Sequence, residues 1–339
     1  MDSQIAQCVM TINFKGRSMA FISKSTALSA LAALSVASNL IFISANHAAF
    51  AADEPIATDA QQPVKMSSEK PSVAEALSGD VSQKGFSFFL GLGLANVRYQ
   101  ETSTSIPTNS SAQATNLILN SGALYALNQD YLFSIEAQST FYPQNVTESW
   151  TAPVPFSAGG YNFTSGMLQQ DNFSISQSDT RLYLHKRISG NYFLLLGPSF
   201  DSSTFKRSMF VAYQTGVNVN NSTVIEESSS EILGNIGIGI DTEQVINRPY
   251  HYSANITFGL PVWRRVTNTS YSLDTFTSTQ GYDLAIEGRY SWAFRKDAQI
   301  GAWMRYSESI RGNQILGPVE LPTSKMDSAS FGLEILWKI

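Results

Sequence analysis

One cysteine in 339 residues, Cys8, is the sharpest absence in this sequence. It lies ahead of an apolar stretch that reads as a leader. The mature chain is therefore expected to hold no disulfide, no thiol nucleophile, no thiolate metal site and no lipid anchored on cysteine. Histidine is also scarce, with His47, His185 and His251 alone. Charged residues make up 14% of the chain, and no segment beyond Ala52 approaches 18 consecutive apolar residues. That excludes a membrane-spanning helix for the mature chain, so any insertion into lipid has to use strands. HExxH, GxSxG and phosphate-loop sequences are missing, and Gly234-Asn235-Ile236-Gly237-Ile238-Gly239 lacks the following helix that a dinucleotide site requires. Those glycines read better as relief of crowding or a bend within a strand.

Lys15, Arg17 and Lys24 precede the apolar stretch Ala27 to Ala45, and Ala49-Phe50-Ala51 supplies the small-x-small pattern of a leader peptidase site. Residues 1–51 read as a secretory signal, complete even if translation starts at Met19; an N-terminal membrane anchor is the alternative. Lys15, Arg17, Lys24 and Asp2 leave with it, so 22 Lys and Arg against 27 Asp and Glu become 19 against 26, a net charge of −7. A chain of that sign has no general affinity for nucleic acid. Residues 52–84, rich in Pro, Ser, Gln, Ala and charge, read as a flexible periplasmic segment.

From Gly85 onward the pattern changes to a period of two. The C-terminal run shows it plainly: Phe331, Leu333, Ile335, Trp337 and Ile339 share one face, with Ser330, Gly332, Glu334 and Lys338 on the other. Lipid against one face and a polar lumen against the other accounts for such a strand. About ten runs of this kind follow one another. Phe86, Phe88, Leu90, Leu92 and Leu94 define the first outward face, with Ser87, Gly91 and Gly93 inward. Tyr131, Phe133, Ile135 and Ala137 define the third, and Tyr250 to Val262 the seventh, with His251, Ser253, Asn255 and Thr257 inward.

Long connections at 101–115, 143–175, 206–230, 268–280 and 309–326 are rich in Ser, Thr, Asn and Gly and read as extracellular loops. Short ones near 128–130, 189–191, 242–249 and 294–297 read as periplasmic turns. This topology puts Phe86, Phe88, Tyr131, Tyr192, Tyr250, Tyr290 and Trp337 at one rim and Phe141, Phe200, Tyr282 and Tyr306 at the other, as two aromatic girdles. The expected fold is all-β: a single transmembrane, antiparallel, up-and-down barrel over 85–339, with ten strands. Twelve is the alternative, if an extra hairpin forms within 154–172 or near Asn220-Asn221.

This pattern resembles bacterial outer-membrane β-barrels as a class, over residues 85–339. The resemblance implies a Gram-negative outer membrane, contact with its lipid and lipopolysaccharide, and periplasmic chaperones and an insertion machinery that reads Phe331, Leu333, Ile335, Trp337 and Ile339. Omptin-type proteases share the ten-strand count, with catalytic Asp and His near the extracellular mouth. His185 and His251 fall instead toward the periplasmic ends of their strands. A solitary autotransporter-type β-domain is a further resemblance, although residues 52–84 are too short for a folded passenger.

Inward charges are expected at Glu136, Asp179, Arg181, Asp241, Asp283, Glu287, Arg289, Arg305 and Glu334, with His185 beside them, pairing across a filled or narrow lumen. Asp179 and His185 lie on one face but about 20 Å apart, too far for a catalytic pair. Lys206, Arg207, Arg264 and Arg265, placed at the outer rim, are candidates for contact with lipopolysaccharide phosphates. No catalytic, cofactor or metal residue is assigned. The chain reads as a non-enzymatic, monomeric surface protein of structural, adhesive or receptor-like role, with a narrow small-solute pore as the alternative and a surface hydrolase as the third reading.

Overall fold

The computed structural model describes residues 85–338 apart from 218–220, 242–249, 271–274, 296 and 318. The expected signal peptide at 1–51, the expected periplasmic segment 52–84, the expected turn at 242–249 and Ile339 lie outside the described residues. Every regular element described is a strand. The order is β1 (Phe86–Thr102), β2 (Asn109–Ala126), β3 (Tyr131–Tyr142), β4 (Val146–Ala152), β5 (Phe156–Ala158), β6 (Tyr161–Phe163), β7 (Gly166–Ser189) and β8 (Tyr192–Ala212). There follow β9 (Ile225–Asp241), β10 (Tyr250–Asn268), β11 (Thr275–Phe276), β12 (Gly281–Ala293), β13 (Ala298–Arg311), β14 (Gln314–Leu316), β15 (Val319–Leu321) and β16 (Thr323–Lys338).

Ten of these strands form a ring in which each pairs antiparallel with its sequence neighbours: β1, β2, β3, β7, β8, β9, β10, β12, β13 and β16. β16 closes it on β1 in unbroken register from Ser87 opposite Lys338 to Thr102 opposite Thr323. Ten is therefore the ring count. β4 continues the course of β3 higher up, between β2 and β7, and β11 pairs with β10. The hairpin within 154–172 exists as β5 and β6, but it forms its own two-stranded sheet outside the ring.

Two chemistries follow one another along each strand. In the lower half, Leu92 is 58% exposed and Leu333 66%, an exposure no water-soluble wall would tolerate side by side, while Ser87, Asn120, Ser134 and Glu334 on the opposite face are buried. This half is the lipid-facing belt. Phe88 stacks on Trp337 at 4.9 Å near its periplasmic edge, and Phe258 on Tyr282 at 6.0 Å near its outer edge. The turns agree: Asn128 Oδ1 accepts from the backbone of Asp130 and Tyr131 at 2.8 and 3.0 Å, and Gly190 takes the left-handed conformation, φ 54°, between β7 and β8.

The long connections are not the loops that their composition suggests. β7 has 24 residues and β8 has 21, about twice the 9–11 a bilayer requires. From Phe200 to Ala212, β8 runs on for roughly 30 Å above the belt at ordinary rise and tilt. In this upper half, on β1 and β2, the alternation keeps its phase and reverses its chemistry. On β1, Leu90, Leu92 and Leu94 give way outward to Asn96, Arg98 and Gln100, while inward Gly91 and Gly93 give way to Val97 and Tyr99. On β2, Ser111, Gln113 and Thr115 face out and Ala112 and Ala114 are buried. Water outside and a packed interior replace lipid outside and a polar interior. A polar outward face made the segments read as loops.

Candidate functional site

Inside the ring the side chains fill the lumen in layers. Near the periplasmic end Phe89, Leu124, Leu132, Phe193, Leu195 and Leu336 point inward and are almost fully buried. Two histidines stand at the same end. His185 lies 2.8 Å from Ser134 Oγ, and His251 Nε2 lies 2.9 Å from Asp241 Oδ1 with Ser291 Oγ 3.4 Å from its other nitrogen. Ser291 in turn donates to Gln299 at 2.6 Å and has no exposed surface. The row Asp241, His251, Ser291 and Gln299 therefore ties β9, β10, β12 and β13 together.

Above it lies a mixed-charge layer. Arg181 pairs with Glu287, with Asp179 at 3.4 Å and with Glu136 at 3.7 Å. Arg289 reaches Glu334 at 2.8 Å, Glu136 and Glu287 at 3.7 Å each, and lies 3.9 Å above the Phe89 ring. Arg305 pairs with Asp179. Thus Glu136, Asp179, Arg181, Glu287, Arg289, Arg305 and Glu334 come together, His185 and Asp241 stand closer to the periplasm, and Asp283 lines the cavity above. That cavity holds about 70 Å³, bounded by Asp179, Asp201, Glu231, Asp283 and Arg305 among serines, enough for a few waters. Asp179 and Asp201 are direct partners across β7 and β8.

A second network, unforeseen from sequence, caps the lumen above the membrane. Arg207 binds Glu148 through Nε and a second nitrogen at 2.6 and 3.1 Å, and Glu101 at 3.1 Å. Its guanidinium lies 5.2 Å from Trp150, 5.5 Å from Phe173 and 5.9 Å from Tyr99. Arg311 pairs with Glu227 at 2.7 Å, Asn268 donates to the same carboxylate at 3.1 Å, and the Tyr99 hydroxyl donates to Glu101. Trp150 donates to Asp171 at 3.0 Å. Burial, and then Glu148 opposite it on β4, push the Asp171 carboxyl up to about 8, against the pull of Arg207. Burial also pushes Glu227 up, but Arg311 and Arg207 outweigh it and hold its carboxyl below the usual range. Parity alone marks these positions: Val97, Tyr99 and Glu101 continue one face of β1, as Ile225, Glu227 and Ser229 do on β9.

The outer-rim cations divide. Lys206 and Arg265 are exposed, whereas Arg207 and Arg264 are buried and paired, Arg264 with Glu231 at 2.6 Å and with the carbonyls of Ser278 and Gln280. Contact with lipopolysaccharide phosphates is therefore ruled out for Arg207 and Arg264. Arg207 sits on the inward parity of β8, which continues where a loop was expected. Arg264 is turned inward by a β-bulge between Pro261 and Trp263, which reverses the phase of β10.

Three sets of contacts order the extracellular tip. Gln214 accepts from the Thr164 amide and hydroxyl and donates to the carbonyls of Thr164 and Met167. Phe156 stacks on Phe163 at 4.8 Å, beside a buried cluster of Trp150, Ala152, Phe163 and Leu168. Across the seam, Glu320 accepts from the Thr104 and Ser105 amides and the Ser103 and Thr104 hydroxyls. Partial burial raises its carboxyl, but these bonds prevail and hold it down at about 2.

A closed ring with a lipid-facing belt, two aromatic girdles and a filled polar lumen is an integral β-barrel of the outer membrane of a Gram-negative bacterium. Among solved structures, the chain is similar to the outer membrane protease OmpT of Escherichia coli. The TM-score is 0.55 at 8% identity, over 75% of this chain and 97% of that one, a likeness of fold alone. It also matches the translocator domain of the autotransporter NalP from Neisseria meningitidis (TM-score 0.36, 7% identity, 78% and 92% covered). A third match is the attachment invasion locus protein Ail of Yersinia pestis (0.27, 10%, 76% and 100%). No protein-family model and no curated protein matches the chain.

Proposed function

We propose that this barrel is a non-conducting, non-enzymatic surface protein of adhesive or receptor-like role, presenting a rigid extracellular platform to a macromolecular partner. The observation that carries this reading is the upper half of the ring. Strands continue far above the lipid and are braced inside by the Arg207 and Arg311 networks, and their tip has its own small core. Binding residues held on a rigid scaffold lose little entropy on association. The exposed tip is rich in Ser, Thr and Asn with Val154, Tyr161, Val211 and Tyr213 standing out, a composition suited to adaptable polar contact around aromatic anchors.

Against a pore stand the apolar layer at the periplasmic end and the ion-paired layers above it. Against histidine-based surface hydrolysis stands the position of His185 and His251, at the end of the lumen far from the exterior. Delivery by a cleaved signal at 1–51, insertion guided by the C-terminal strand, a monomeric state and contact of Lys206 and Arg265 with lipopolysaccharide belong to the same reading. Two measurements test it. Purified protein in planar bilayers is expected to give no conductance steps; regular open states support the pore instead. Displayed on a non-adherent bacterial host, the chain is expected to confer binding to host-cell or matrix surfaces, and removal of 154–164 to abolish it. Equal binding with and without that tip contradicts the platform.

A further inference from the structure

The seam between the first and last strands carries a problem of register. On its lipid face Leu90, Leu92 and Leu94 oppose Ile335, Leu333 and Phe331. A slip of two residues keeps every one of these faces apolar, so lipid cannot select the native pairing. The selection has to come from inside. There Gly93 opposes Gly332, with Gly91 one inward position below, and into the trough so formed lies the indole of Trp303 from β13, 3% exposed. A methyl group placed on Gly93 would come 2.8 Å from the ring, one on Gly332 2.9 Å, and one on Gly91 3.1 Å from the indole nitrogen. Because β16 stands between β13 and β1, the ring spans the whole last strand and rests on the first.

We propose that Trp303 is the register lock of the closing seam: its indole seats only when Gly91 and Gly93 meet Gly332 in the native pairing. A slip of β1 in one direction brings Ala95 to the place of Gly93, and its methyl group overlaps the ring. A slip in the other brings the Phe89 side chain to the place of Gly91. Both clash with the seated indole, while the greasy face outside is indifferent. The indole nitrogen has no hydrogen-bond partner among the described residues, so the lock works by shape, and a phenyl ring should partly replace it.

The chain's single cysteine makes the test direct. In a Cys8→Ser background, Asn96 and Ala329 are native register partners on the outer face, while Asn96 with Asp327 or with Phe331 reports a slip of two residues. Cysteine pairs at these positions are expected to cross-link in the native combination alone when Trp303 is present. Trp303→Ala should lose native cross-linking and gain one of the slipped pairs, and Trp303→Phe should keep the native pattern. Should Trp303→Ala fail to fold, refolding it with the Asn96→Cys/Ala329→Cys disulfide already formed is expected to restore the compact, heat-modifiable species. An unchanged cross-linking pattern in Trp303→Ala, or no recovery when the seam is covalently set, overturns the proposal.

Discussion

Arg207 concentrates the logic of the upper lumen. It is buried, bound in a fork to Glu148 and a second carboxylate, and walled by three aromatic rings. Removing it would leave Glu148 uncompensated in the interior and Glu101 with only Arg311, 3.8 Å away, a loss of about 3–5 kcal/mol. Arg207→Ala is expected to lower the temperature at which the folded species converts to the unfolded one on gels, and Arg207→Lys to recover little of the loss, because an ammonium cannot reproduce the bidentate fork. Two carboxyls give opposite dependences on pH. Asp171 titrates near 8 folded and near 4 unfolded, so folding takes up a proton between these values and stability falls as pH rises through that window. Asp171→Asn should flatten this slope in thermal melts between pH 4 and 8; an unchanged slope assigns it to another group. Glu320 runs the other way: with a folded value of about 2 against 4.5, its contribution is complete above 4.5 and lost as pH falls toward 2. Proteolytic nicking of the 103–108 connection should rise in that acid window and should be high at neutral pH in Glu320→Gln.

Among the elements, the membrane halves of the strands were legible because lipid forces a strict period of two with apolar residues outward. Leu90 to Leu94, Ile236 with Ile238, and Leu333 with Ile335 all lie where their spacing puts them. The upper halves were not legible by the same rule, since above the belt water faces out and the outward positions turn to Ser, Thr and Asn. The inward positions held the signal: Val97, Tyr99 and Glu101 on β1 and Phe205 and Arg207 on β8 stay in phase with the lumen below. Phase is broken where a bulge intervenes, and no local feature but Pro261 announces the one that turns Arg264 inward. Pairings across the lumen, such as Arg181 with Glu287 or Arg207 with Glu148, join residues far apart in sequence and depend on strand register. β5 and β6 sit outside the ring, so deletion of 154–164 is expected to leave assembly into vesicles unchanged; loss of the folded species would mean that the tip supports the barrel.

At the scale of the whole molecule, one ring serves two solvents. Its lower half is greasy outside and charged within; its upper half is hydrophilic outside and packed within around Tyr99, Phe173 and Phe205, whose rings lie 4.4 to 5.9 Å apart. The same strands thus anchor the protein and raise its tip. The decisive measurement is a cysteine scan along β8 from Leu196 to Val211 in a Cys8→Ser chain reconstituted in vesicles, each site probed with a lipid-soluble and a water-soluble quencher. Leu196 and Phe200 should respond to the lipid probe, Ser202, Thr204 and Lys206 to the aqueous one, and Ser203, Phe205 and Arg207 to neither. Uniform access of the aqueous quencher from Asp201 to Val211 would show a solvated loop there and contradict the extended ring.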